Sequence, residues 1–364
     1  MTLPTPALRQ PIGSDFESPD PSLLRAASVT PPWERAVGAT TYFETGHGFL
    51  AVLADDLWSR GFCTIVVPAY LCDAVIAPFA DRGWRIIPTP MTPSLMIDPD
   101  AALATVRALP EPPAVLWAQY FGRSLLTSDV TAIEELRKTG AFVIVDETHT
   151  IFGDDPIRGD IAFGSLRKLL PVADGAYARV VDPADAPASP TRPGWADHRW
   201  QVMDAKARSG HSPAIHEAFV KANHTLESHD DGTYQISPRS ADMLRRLDYD
   251  ELVARRRRNA TVLADRLRSG GVAVLNPPGP DVLPSHLVIS VDQRDALQRA
   301  LAAEGIYCAA HWPKSSILSA QLPWRDDLLS VSVDHRYDPH HMAAAFETIL
   351  RAARSLIVSS HQVH

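Results

Sequence analysis

Apolar residues in the first half of the chain gather into short blocks separated by amphipathic stretches. Thr64-Ile65-Val66-Val67-Pro68, Trp84-Arg85-Ile86-Ile87, Ala114 to Tyr120 and Phe142 to Val145 are β-branched or apolar runs without two-residue alternation. Runs of this kind suit strands buried on both faces of a parallel sheet. Between them Phe49, Leu50, Val52, Leu53 and Leu57 recur at helical spacing, and Ala69 to Asp73 opens another helix. Asp100 to Leu109 reads as a helix stopped by Pro110, and Ser128 to Lys138 as one with Asp129 near its start. Ile161 to Phe163 is a further apolar patch, and Tyr177 to Val181 a last strand-like run. Strands alternating with helices over roughly 150 residues predict an α/β chain with a mostly parallel, doubly wound sheet.

Residues 1–35, rich in Pro, Ser and Asp, read as an extended arm with little core of its own. A large domain is expected over 36–245, with a Pro- and Ala-rich, linker-like stretch at 182–194 inside it. Trp195 to Asp230 is helix-prone without an evident task, and a helix follows Ser237 through Leu247. Over 246–364 the pattern predicts a smaller α+β domain. Its strands are expected at Ser285 to Val291 and Leu328 to Val333, its helices at Arg294 to Glu304 and Pro339 to Leu350.

The balance of 35 basic against 43 acidic residues, a net −8, disfavours nucleic acid and anionic membrane as partners. Three cysteines, Cys63, Cys72 and Cys308, form no disulfide framework and lack zinc-ligand spacing. No apolar run has the length of a signal peptide or a membrane span, so a cytoplasmic protein is expected. His211 and His216, with Glu217 beside them, are five apart and do not share a helix face, so solvent-facing rings are expected there rather than a metal site. Four consecutive arginines, Arg255 to Arg258, lie close to Asp248, Asp250 and Glu251, which predicts a salt-bridged solvent face.

The chemistry concentrates between Ala141 and Ala178. Asp146 closes a buried-strand run, and in open α/β sheets the carboxyl ends of strands are where ligands bind. Ser165-Leu166-Arg167-Lys168 follows the next apolar patch. Val143 to Glu147 also looks like the acidic strand of a P-loop nucleotidase. No Gly-x-x-x-x-Gly-Lys-Ser/Thr loop occurs in the chain, which sets that reading aside.

The order Asp146-x-x-His149, Gly159-Asp160, Ser165-x-x-Lys168 resembles fold type I pyridoxal-phosphate (PLP) enzymes, and most closely the DegT/DnrJ/StrS-type sugar aminotransferases. The resemblance covers about residues 11–350 and includes the opening Pro11-Ile12-Gly13-Ser14-Asp15-Phe16. It implies a PLP cofactor bound to Lys168 as a Schiff base, Asp146 paired with the pyridine nitrogen, His149 near the ring and Ser165 on the phosphate. It further implies phosphate contacts from His47 and Gly48, at a glycine-flanked helix start where backbone N–H groups can receive an anion. Tyr70 is the candidate ring-stacking aromatic, and Tyr234 would reach the partner's site across a homodimer interface.

The sequence departs from the family's pattern at several points. His47-Gly48 replaces the usual Thr-Ala, Cys72 falls where many members place the stacking aromatic, and Asp174-Gly175-Ala176 replaces the usual Glu-Gly-Gly. The implied function is a PLP-dependent aminotransferase joining a small-molecule amino donor to a keto sugar or another carbonyl intermediate of secondary metabolism. A lyase, decarboxylase or carbon–carbon bond-forming PLP enzyme, and a catalytically silent PLP-binding relative, are the alternatives.

Overall fold

The computed structural model describes residues 10–361 except 37, 154, 229–231, 233 and 319–323. Seven strands make the main sheet: β1 (Ala39–Phe43), β2 (Thr64–Pro68), β3 (Arg85–Thr89), β4 (Ala114–Ala118), β5 (Phe142–Asp146), β6 (Ile161–Ser165) and β7 (Ala176–Val180). Their spatial order is β1-β7-β6-β5-β4-β2-β3, and β7 runs against both its neighbours while the rest point one way. Every residue of β4, β5, β6 and β7 is buried, as uninterrupted apolar runs require.

Helices α1 (Gly46–Ser59), α2 (Asp73–Ala80), α3 (Pro99–Arg107) and α4 (Thr127–Lys138) connect the strands. Local chemistry sets their ends. Asp98 caps α3 by accepting from the amides of Asp100 and Ala101 at 3.1 Å, with Pro99 in the first turn. Asp129 bonds back to the Leu126 amide at 2.8 Å ahead of α4. The run expected as strand through Tyr120 stops at Ala118, because Tyr120–Gly122 forms a tight helical turn in which Phe121 takes φ +53°.

Helices α5 (Asp197–Ser209) and α6 (Pro213–Ser228) make up the stretch that carried no assigned task, and α7 (Pro238–Leu244) is the helix expected after Ser237, ending before Leu247. Trp200, Met203 and Phe219 share a core with Leu166, Leu169, Leu170 and Val172, so these helices pack against the chain leaving β6. The rest comprises α8 (Tyr249–Ser269), β8 (His286–Ser290), α9 (Arg294–Ala303), β9 (Leu328–Ser332) and α10 (Pro339–His361). Strands β8 and β9 form a two-stranded antiparallel sheet. Leu263, Leu267, Leu287, Ile289, Leu301, Val331 and Met342 fill its core.

One arginine in α8 corrects the solvent-face expectation. Arg255 pairs with Glu251 at 2.6 Å on the surface, but Arg256 is 1% exposed. The helical period explains it: Leu252, Arg256, Ala260 and Ala264 fall four apart on the buried stripe.

The arm ties the parts together. Ile12 is fully buried and bridges Ile306, and Trp33 stacks on Tyr177 at 5.2 Å. Gly13 has φ +81°, and a Cβ there would lie 2.0 Å from the Tyr307 carbonyl oxygen, so only glycine fits this crossing.

Candidate active site

Parallel register brings Asp146 and Ser165 to the same edge of the sheet, since Asp146 lies opposite Phe163 in the neighbouring strand. A short helical turn, Leu166–Lys168, then carries the chain back over the strand ends. The start of α1 abuts this edge: a Cβ built on Gly46 would touch that of Ser165 at 3.5 Å. Thr45 caps α1, its hydroxyl accepting from the Gly48 amide at 2.9 Å. The amides of Gly46 and His47 precede the first intrahelical bond, and the helix dipole adds partial positive charge there.

These elements enclose a first cavity of about 260 Å3, lined among others by Gly46, His47, Asp146, Thr148, Ser165 and Lys168. The separated acid and amine therefore line one cavity. Burial pushes the Asp146 carboxyl up from its ordinary value, while bonds from Thr148 and the Lys168 charge pull the other way. The Thr148 amide donates to Asp146 Oδ1 at 2.9 Å. A protonated ring nitrogen placed beside a carboxylate so desolvated would favour its charged form.

His149 sits deeper. The Phe121 amide donates to its Nδ1 at 3.1 Å, so Nε2 carries the ring proton. The left-handed backbone of Phe121 aims that amide, at a cost of about 1–3 kcal/mol. The His149 ring is parallel to Trp312, with centroids 5.9 Å apart and 8° between planes. Burial, then repulsion from Lys168 and His286, drives its pKa to about 3, so the ring is neutral.

A second cavity, about 310 Å3, lies beside the first, with Arg167 and Lys168 lining both. His149, His286 and His311 line it together with buried arginines and arm residues Gly13 to Phe16. Burial takes His286 down to about 4 and His311 well below its ordinary value.

Other residues singled out in the sequence are not brought to the first cavity. Gly48 lies one turn into α1 with its amide used by Thr45, leaving no donor for an anion. Tyr70 is buried in an aromatic cluster, its centroid 4.5 Å from Trp324, and its hydroxyl donates to the His311 carbonyl. Tyr234 packs beside Trp195 at 6.1 Å, and its carbonyl accepts from the Glu44 amide at 3.0 Å. Cys72 precedes α2, and the α2 residues on the cavity wall are Ala74 and Val75. His47 lines the cavity, but its Nδ1 is tied to the Ala74 carbonyl at 3.0 Å. His211 reaches the Tyr307 hydroxyl at 3.2 Å and His216 is exposed.

Sequence reasoning missed Thr148, Arg167, Arg199, Arg256, His286, His311 and Arg336 as cavity residues. The two residues flanked by the motif, Thr148 and Arg167, were within its reach. The others come from distant parts of the chain and carry no local signature. Among the described residues no helix is long and apolar enough to cross a membrane, and no group of three His, Cys, Asp or Glu could hold a metal ion.

No protein-family model matches this sequence, and no curated protein matches it. Solved structures do. A DegT DnrJ EryC1 StrS aminotransferase from Brucella abortus shares 18% identity over 87% of this chain and 86% of its own, with a TM-score of 0.58. PseC of Helicobacter pylori, an aminotransferase involved in the biosynthesis of pseudoaminic acid, shares 13% identity over 95% of this chain and 100% of its own, at 0.65. A serine palmitoyltransferase from S. paucimobilis, solved with bound PLP, shares 15% over 88% of this chain and 74% of its own, at 0.53. The chain thus has the α/β fold of the fold type I PLP-transferases, as the sequence resemblance implied.

Proposed function

We propose that this chain is a PLP-dependent transferase, an aminotransferase that moves an amino group between a small-molecule donor and a keto sugar or other carbonyl compound of secondary metabolism. The observation that carries the reading is the convergence of Asp146 and Lys168 on one cavity that also holds Ser165 and the amino end of α1. The buried Asp146 fits a protonated ring nitrogen, and the Gly46 and His47 amides with the Ser165 hydroxyl fit a phosphate.

Bound there, PLP supplies an aldehyde that captures amines and a protonated ring that withdraws electrons. Lys168 would hold that aldehyde, and its amine would serve as the base that takes a proton from the substrate carbon and the acid that returns it. Asp146 would keep the ring nitrogen charged. His149 would lie near the ring, with its tautomer set by the Phe121 amide. The protein is read as a homodimer in the cytoplasm, with Tyr234 at the shared boundary.

The fold alone does not choose the reaction, since a serine palmitoyltransferase has it too. Two measurements decide. Purified protein with PLP is expected to be yellow, and Lys168→Ala to lose the near-visible band; identical spectra remove Lys168 from the mechanism. Glutamate, or another amino donor, is then expected to convert the wild-type cofactor to its amine form. Failure with every donor tried redirects the assignment to a non-transaminating PLP enzyme.

A further inference from the structure

Thr148 stands where the ladder between β5 and β6 ends. The Glu147 amide donates to the Phe163 carbonyl at 2.7 Å, and a parallel ladder carried one step further would take the Ser165 amide to the Glu147 carbonyl. That carbonyl is turned into the following loop, where it accepts from the Thr150 amide at 2.8 Å. The Ser165 amide goes to the Thr148 hydroxyl instead, at 3.2 Å. A side chain thus takes the place of a backbone acceptor, and both residues are buried.

The same residue serves the acid. Among the described residues, every hydrogen bond received by the Asp146 carboxylate comes from Thr148, whose amide donates to Oδ1 at 2.9 Å. A hydroxyl that accepts from an amide still has its own proton to give, and the Thr148 side chain is also bonded to Asp146. Burial drives the Asp146 carboxyl toward its neutral form. The two Thr148 bonds oppose that, and the Lys168 charge adds a smaller pull in the same direction.

We propose that Thr148 is a positioning residue for the cofactor, its hydroxyl joining the Ser165 amide to the Asp146 carboxylate and so keeping that carboxylate charged for a protonated ring nitrogen. The inference rests on the proposed function, in which Asp146 and Ser165 are given to opposite ends of the ligand, pyridine nitrogen and phosphate. Thr148 bonds to both residues and lines the first cavity with them.

The test is a fluorescence titration of the full chain, freed of cofactor, with PLP and with the analogue in which carbon replaces the ring nitrogen. It compares the wild type with Thr148→Ser, Thr148→Ala and Thr148→Val. The Ser165 amide loses its acceptor in both hydroxyl-free variants whatever else Thr148 does, so the readout is the difference between the two ligands. Removing the hydroxyl is expected to weaken PLP about tenfold more than it weakens the analogue, as loss of a bond to a charged group does. Thr148→Ser is expected to stay within about threefold of the wild type for both ligands. Equal losses for PLP and the analogue, or undiminished PLP affinity without the hydroxyl, overturn the inference and leave Thr148 an acceptor for the ladder alone. Failure of serine to restore PLP binding overturns it as well. If neither hydroxyl-free variant folds, the remaining pair decides: a preference of about tenfold for PLP over the analogue in both the wild type and Thr148→Ser supports the inference, and its absence from either overturns it. A wild type that takes up neither ligand sinks the proposed function and this inference with it, an outcome distinct from equal losses, where the wild type binds both.

Discussion

At the scale of single residues, burial governs the titration of the histidines. His335 is 1% exposed and stacks on Phe16 at 5.4 Å; burial, then repulsion from Arg256 and Arg336 against the pull of Asp334, takes its pKa to about 3. The unfolded ring titrates near its ordinary 6.5, so between there and about 3 the unfolded chain binds a proton that the folded one refuses. The neutral ring's contribution is thus complete above pH 6.5 and is lost as pH falls. His335→Phe, measured by urea denaturation, is therefore expected to gain about 2 kcal/mol relative to wild type on going from pH 7 to pH 5. A pH-independent difference would refute this account. Such burial was not legible in the sequence, where Asp334-His335-Arg336 reads as a polar loop after a strand. Asp146 and Glu147 show the limit from the other side. Adjacent acids look alike in sequence, yet Asp146 faces the cavity while Glu147 is locked in a bidentate pair with Arg179, at 3.0 and 2.5 Å, and bonds the Tyr177 hydroxyl at 2.9 Å. Tyr177 and Arg179 arrive from a strand 30 and 32 positions downstream, beyond the reach of local pattern.

At the scale of elements, the apolar runs declared the buried strands because nothing but a sheet core accommodates them. β1 escaped the sequence reading, since Thr40 and Thr41 give it no apolar block and its five residues are mostly half-buried at the sheet edge. β6 and β7 depend on a detail of size. A Cβ on Gly164 would come within 2.8 Å of the Tyr177 ring across the β6–β7 ladder, so the ring occupies the space a side chain would take. Gly164→Ala is expected to destabilise by about 1–3 kcal/mol in denaturant titrations, as overpacking of a closed core does. An unchanged midpoint would mean the ladder yields more easily than its packing indicates. The helix start at Gly46 was legible from its glycines and the amphipathic run that follows. The assignment of Gly48 to an anion was not safe, because the identity of the capping side chain decides which amides remain open, and Thr45 takes that of Gly48.

At the scale of the whole molecule, the second cavity is walled by the arm, by the turn after β6, by α8 and by the β8–β9 sheet. The arm is latched to the C-terminal part at Gly13, whose amide donates to the Tyr337 hydroxyl at 2.7 Å while its Cα passes under the Tyr307 carbonyl. Gly13→Ala is expected to lift the arm and to speed proteolysis within residues 10–25 at least severalfold. Unaltered cleavage would show that the arm does not depend on this crossing. No pattern in residues 11–16 announces such a latch, because its partners lie at the opposite end of the sequence.

That arrangement has a bearing on synthesis. A chain emerging from the ribosome as far as β7 already holds the seven strands, the acid at 146 and the amine at 168. The guanidinium wall closes only when residues 256 and 336 have followed and found the arm again, a loop spanning nearly the entire polypeptide. Nascent protein therefore completes the first cavity well before the second can enclose anything.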